Sequence, residues 1–199
     1  MNIIFDLGNV LIEWNKDKIL SKICKNEYEF KLFDDIVFQS NLWYDLDSGK
    51  ISLELLENLL LQEMGNEYKN QIHELTWNWF TYVDTYDEVY DLMKKLKKKN
   101  NKLYVLSNTS SIFYILLETS LSDIATLLDW YIISCDVKQM KPYKEIYLSL
   151  VKKYELNIQE CIFLDDLKEN VEAARRLGIK AFQVKERKYI SSILKTLLI

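Results

Sequence analysis

The chain has 199 residues, 49% hydrophobic and 28% charged, with 13 Tyr and 5 Trp. That is enough for one α/β core plus an insertion, and too rich in aromatics for a disordered chain. A formal net charge of −4 argues against a nucleic-acid partner, and no apolar run reaches the ~18 residues of a membrane span, so a cytoplasmic protein is expected.

The N-terminus has no basic n-region and enters a strand at once, so no signal peptide is expected. Cys24, Cys135 and Cys161 are scattered without CxxC spacing, which predicts reduced, mostly buried thiols and neither a disulfide nor a zinc site. His73 is the only histidine. That excludes a His-based catalytic triad and a two-His metal site.

In chain order, Ile3-Ile4-Phe5 is an uninterrupted apolar run and reads as a buried strand that ends at Asp6. Glu13-Trp14-Asn15 reads as a turn or short hairpin leaving the sheet. From Asn15 to Asp84 the pattern is helical, with four helices expected. Ile19, Leu20 and Ile23 mark the first, and Phe30, Phe33 and Val37 the second. Asp47-Ser48-Gly49-Lys50 reads as a turn, and Ser52 as the N-cap of a third helix running to Met64. The fourth covers about Glu67 to Phe80.

Beyond it the chain alternates. A helix from Asp87 to Lys99 precedes a strand over Leu103-Tyr104-Val105-Leu106 that stops at Ser107-Asn108. The lysines near Lys98 read as a solvated C-terminal turn. A helix from Ser110 to Leu121, a strand at Trp130–Ile133 and a helix with Pro142 in its first turn follow. Cys161-Ile162-Phe163-Leu164 is a fourth strand, halting at Asp165-Asp166. A helix from Glu169 to Leu177, closed by Gly178, leads to a fifth strand at Ala181–Val184 and a terminal helix over Tyr189–Leu198. Alternation of this kind predicts an α/β fold in three layers, a Rossmann-like parallel sheet with helices on both faces. The expected domains are a core of residues 1–14 and 85–199 and an inserted four-helix cap of residues 15–84, set over the carboxyl edge of the sheet.

Three strands end in a polar or acidic residue: Asp6, Ser107 and Asp165. In a parallel sheet those ends are neighbours at the edge where α/β folds bind ligands. Asp6, Asp165 and Asp166 make a hard-oxygen set suited to Mg2+, and Lys141 with the Ser107 hydroxyl suits an anion. The amides of the Asp6-Leu7-Gly8-Asn9 turn are a candidate oxyanion nest. Taken singly, Ser107 and Asp166 also read as helix caps and Lys141 as a surface lysine. As a set they point to phosphoryl transfer through an aspartyl-phosphate.

The motifs Phe5-Asp6-Leu7-Gly8-Asn9-Val10-Leu11, Leu106-Ser107-Asn108, Met140-Lys141-Pro142 and Phe163-Leu164-Asp165-Asp166 resemble, in order and spacing, those of the haloacid dehalogenase (HAD) superfamily. The resemblance implies Asp6 as nucleophile and metal ligand, with Ser107, Asn108 and Lys141 on the phosphoryl group. It implies Asp166, Asp165 and the Gly8 carbonyl as further holders of Mg2+, with Asn170 helping from behind. Leu7, Gly8 and Trp14 would line the substrate site, and Trp43, Tyr44, Trp77 and Trp79 are candidates to stack on a sugar ring.

One position departs from the pattern. Most phosphatases of the superfamily carry a second aspartate two residues after the nucleophile, as general acid and base. Here it is Gly8. Good leaving groups, such as an anomeric sugar phosphate, are then the expected substrates, and Glu13 is a candidate substitute acid. The wording of the first motif also resembles a bacterial branch that includes an α-D-glucose-1-phosphate phosphatase. The expectation is a Mg2+-dependent phosphatase of a small phosphorylated metabolite, monomeric or a weak homodimer. The alternatives are a catalytically weak phospho-ligand- or protein-binding relative and a metal-independent 2-haloacid dehalogenase. A mutase is disfavoured because it needs the acid that Gly8 lacks.

Overall fold

The computed structural model describes residues 1–198. Its centre is a five-stranded parallel sheet made of β1 (Asn2–Phe5), β2 (Lys102–Ser107), β3 (Trp130–Ile133), β4 (Cys161–Asp165) and β5 (Lys180–Gln183). The strand order is β3-β2-β1-β4-β5, every neighbour parallel. The chain builds outward from β1 through β2 to β3, then returns to the other side of β1 for β4 and β5. The order therefore reverses between β1 and β4, the place where open α/β sheets hold ligands.

Both faces of the sheet are covered, and the alternation along each strand shows how. Ile3 and Phe5 of β1 and Leu103 and Val105 of β2 join one apolar cluster, while Ile4, Tyr104 and Leu106 join another on the opposite face. The insertion packs continuously with the first cluster through Leu11, Ile12, Ile19, Leu20 and Phe33.

In the insertion, residues 15–84 form five α-helices where four were expected: α1 (Lys16–Ile23), α2 (Glu27–Phe33), α3 (Leu42–Asp47), α4 (Leu53–Met64) and α5 (Lys69–His73). The added one, α3, leads into the turn at Asp47. Asn15, Asn26 and Ser52 cap α1, α2 and α4 by accepting from Lys18, Glu29 and Leu55 N–H groups. α2 and α5 each continue into a π-turn, at Asp34–Phe38 and Glu74–Asn78. The two connections to the core lie side by side: Ile12 pairs antiparallel with Thr85, and Glu13 N–H donates to Asp84 O at 2.8 Å.

The core helices are α6 (Asp87–Lys98), α7 (Ile112–Glu118), α8 (Ser122–Ala125), α9 (Ser134–Val137), α10 (Lys144–Lys153), α11 (Lys168–Arg176) and α12 (Arg187–Thr196). The single helix expected over Ser110–Leu121 is instead α7, which stops at Glu118, followed by α8. Pro142 lies ahead of the Tyr143 cap of α10 and not in its first turn. Gly178 follows α11 with φ +89°, the left-handed end that glycine adopts without a Cβ penalty. Of the three thiols, all unpaired, only Cys161 is buried; Cys24 and Cys135 are partly exposed, short of the burial expected. Among the described residues no helix is long and apolar enough to cross a membrane.

Candidate active site

The strand register assembles the site. Phe5 is level with Val105 on one side and Leu164 on the other, so Asp6 emerges beside Asp165, with Ser107 at the end of β2 close by. The Asp6 N–H donates to Leu164 O at 2.9 Å, extending the ladder by one residue. Asp6, Ser107, Lys141 and Asp165 are all buried.

Lys141 is the hub. Its Nζ lies 2.7 Å from Asp6 Oδ1 and 2.6 Å from Asp165 Oδ2. Burial opposes its charge, but Asp165 and Asp6 outweigh that and hold its pKa above the ordinary lysine value. Asn108 fixes the Lys141 backbone from both ends of one amide: Asn108 Nδ2 donates to Lys141 O (2.9 Å) and Lys141 N–H donates to Asn108 Oδ1 (2.8 Å). That amide is therefore engaged with the Lys141 backbone.

Asp6, Asp165 and Asp166 each offer an oxygen within 4.8 Å of the others. Three carboxylates face one ammonium, so the cluster carries excess negative charge. Burial, and to a lesser degree Asp165 and Asp166, push the Asp6 pKa from 3.8 to about 7 against the pull of Lys141. Asp166 is also raised, by burial first, although Asn9 Nδ2 donates to it at 2.9 Å. Asp165 is held from all sides: Lys141 on Oδ2, Leu167 N–H on Oδ1, and Asn170 Nδ2 on both oxygens. Asn170 Oδ1 is buried with no partner, next to this cluster.

A cavity of about 390 Å³ opens over these groups, between the sheet edge and the insertion. The core contributes Asp6, Gly8, Ser107, Lys141 and Asp166, and the insertion Trp43, Asp47 and Trp79. Leu7, Asn108 and Trp14 also line it, whereas Asp165 lies beneath the floor. Trp14 stacks on Trp43 (centroids 5.4 Å) and meets the edge of Trp79 (4.8 Å). Tyr44 and Trp77 are outside the cavity: Tyr44 is exposed, and Trp77 Nε1 donates to Glu57 at 3.0 Å.

Two further expectations change. The turn amides are partly engaged within the turn itself, Leu7 N–H on Asp6 Oδ1 and Asn9 N–H on Ile12 O, both at 2.7 Å. Glu13 is turned away from the cavity, paired with Lys18 at 2.6 Å. The sequence reading missed two residues. The Asn9 side chain holds Asp166 and accepts from Trp14 N–H at 3.0 Å; the only signal in the sequence was an asparagine after a glycine in a turn, a residue that tolerates the positive φ of +55° it adopts. Asp47, which reads in the sequence as a turn residue, ends α3 and lines the cavity.

D-ribitol-5-phosphate phosphatase of Bacteroides thetaiotaomicron is 26% identical over 191 residues, covering 92% of this chain and 90% of that protein. A HAD family enzyme of the same organism, solved with magnesium and inorganic phosphate, shares the fold with TM-score 0.77 at 23% identity over 92% of each chain. A protein of Porphyromonas gingivalis described as a predicted HAD-like family hydrolase aligns with TM-score 0.77 at 25% identity, covering 98% of this chain and 97% of that one. The haloacid dehalogenase-like hydrolase model matches residues 3–184, from the strand that delivers Asp6 to the residue after β5, and the chain belongs to that family.

Proposed function

We propose that the protein is a Mg2+-dependent phosphatase that hydrolyses a small sugar or sugar-alcohol phosphate through an aspartyl-phosphate on Asp6. The observation that carries this reading is the pairing, on one cavity floor, of a buried carboxylate at a strand end with a buried ammonium 2.7 Å away and an uncompensated acid cluster beside it. The donor set fits a hard divalent cation: Asp6 and Asp166 carboxylates, the Gly8 carbonyl, and the unpartnered Asn170 Oδ1 behind them. When bound, Mg2+ neutralises charge on the transferring phosphoryl group and orients it.

The chain's own groups do the rest. Asp6 attacks phosphorus, forming the acyl phosphate as the ester oxygen leaves. Lys141 stabilises charge on the phosphoryl oxygens, and the Ser107 hydroxyl at the end of β2 donates to one of them. Water then attacks phosphorus, releasing phosphate and restoring Asp6. A metal-independent attack on the carbon of a haloacid would give the acid cluster no task. Likeness to a ribitol-5-phosphate phosphatase over nearly the full length supports a small polyol or sugar ester as substrate.

Phosphate release across a panel of sugar and polyol phosphates, with Mg2+ and with EDTA, tests the proposal. Asp6→Asn is expected to lower turnover by on the order of 10⁴-fold or more, the scale of removing a nucleophile, without unfolding the chain. Full activity in EDTA, or in Asp6→Asn, would overturn it.

A further inference from the structure

Asp47 ends α3, and the turn after it is docked on the core. Ser134 Oγ, fully buried at the start of α9, donates to Asp47 O at 2.5 Å and accepts from Thr109 N–H at 2.8 Å. The Lys138 ammonium donates to the Gly49 carbonyl. This docking sets Asp47 into the wall of the cavity whose floor holds Asp6, with the Ser110 backbone on the same cavity lining. Among the described residues no cation pairs with Asp47. An unpaired carboxylate in such a place costs free energy, and nothing in the packing of α3 calls for one.

The neighbouring position has no acid and no ready room for one. A Cβ added to Gly8 would stand 3.3 Å from Trp14 Cβ and 3.7 Å from Cγ, so the tryptophan fills the space a side chain would use. Glu13 is committed to Lys18. Asp47 is thus the acid of this cavity that is neither on the metal-suited floor nor ion-paired.

Resting on the phosphatase reading, we propose that Asp47 is the proton donor to the leaving oxygen and then the base for the hydrolytic water. As the Asp6 Oδ–P bond forms and the bridging P–O bond breaks, the proton of the Asp47 carboxyl passes to the departing alkoxide, giving the alcohol. In the second step Asp47 takes a proton from the attacking water as the new O–P bond forms and the Asp6 O–P bond breaks, giving phosphate and both starting side chains. Burial holds the Asp47 carboxyl pKa well above the ordinary carboxylate range, the direction a proton donor needs.

The experiment compares esters that need a proton with one that does not: ribitol 5-phosphate, glucose 6-phosphate and glycerol 3-phosphate against p-nitrophenyl phosphate, all with Mg2+. Asp47→Asn is expected to lower kcat/KM on the alkyl esters by about 10²–10⁴-fold and on p-nitrophenyl phosphate by less than about tenfold. Equal losses on both classes, no loss, or a rise in KM alone would overturn the assignment and leave the phosphatase reading standing. The wild type supplies a check independent of any variant: it should hydrolyse at least one of the alkyl esters, and release from p-nitrophenyl phosphate alone overturns Asp47 as donor. Release from none of the alkyl esters overturns Asp47 as donor, and release from no member of the wider sugar and polyol phosphate panel overturns the phosphatase reading with it.

Discussion

At Asp6 one carboxyl joins the end of a strand to the proposed metal site and chemistry. With Lys141 shared between it and Asp165, burial dominates and its pKa moves from 3.8 to about 7. The folded, metal-free protein therefore binds a proton at Asp6 between about pH 4 and 7, where the unfolded chain has already lost it. A raised carboxyl pKa contributes stability at low pH that is lost as pH rises through this window. In EDTA, wild-type Tm should fall relative to that of Asp6→Asn as pH rises from about 4 to about 7. Adding Mg2+ should shrink the difference, because the cation binds the deprotonated form. A wild-type-minus-variant Tm that is flat with pH would show that Lys141 fully compensates the carboxylate. Asp6 itself was legible in the sequence because the apolar run before it left no structural reason for a charge. Its neighbour Asp47 was not, because nothing local distinguishes a turn aspartate in water from one held against a cavity.

The element that makes the difference is the turn after α3. Gly49 has φ +69°, and a Cβ there would lie 2.8 Å from Cys135 Cα and press on the Cys135 carbonyl, both backbone atoms of α9. The turn can dock only with no side chain at this position. Gly49→Ala is expected to cost about 1–3 kcal/mol in urea unfolding, the range for overpacking a fitted contact. It should also lower turnover on alkyl phosphates more than on p-nitrophenyl phosphate, because the displaced turn carries Asp47 away. A variant that loses stability but keeps the wild-type ratio between the two esters would separate docking from chemistry. The strands β1, β2 and β4 were legible because each is a short apolar run ended by a polar residue, and the cap at Ser52 because a serine stands just ahead of an apolar helical run, whereas Asn15 read as a turn. The helices α3 and α9, of six and four residues, were not legible, since they hold through contact with each other and with the core more than through periodicity. The π-turns at Asp34–Phe38 and Glu74–Asn78 likewise continue helices whose sequence patterns do not announce the extra residue.

For the molecule as a whole, strand order and insertion site together decide what can bind. The order reverses between β1 and β4, which sets Asp6 and Lys141 on the cavity floor where the proposed reading places the phosphoryl end of a ligand, and the insertion that follows β1 supplies the opposite wall. That wall is aromatic. Trp43 stacks on Trp14 and stands 6.4 Å from Trp79, and Phe38 backs Trp43 at 4.9 Å. A cavity of about 390 Å³ is at the small end for ligand sites, which suits one sugar or polyol unit with its phosphate and leaves little room for a nucleobase as well. Trp43→Ala removes most of one wall while the metal-suited floor stays intact. Relative kcat/KM for nucleoside monophosphates over hexose phosphates should rise by about tenfold or more, the scale of removing a steric contact worth 1–3 kcal/mol. Stability should drop by less than the about 3–5 kcal/mol of a fully buried Trp→Ala, because Trp43 is only partly buried. Steady-state ratios measured beside the melting curve distinguish the outcomes: a folded variant with an unchanged ratio would mean that size is limited elsewhere, at Trp14 or Trp79.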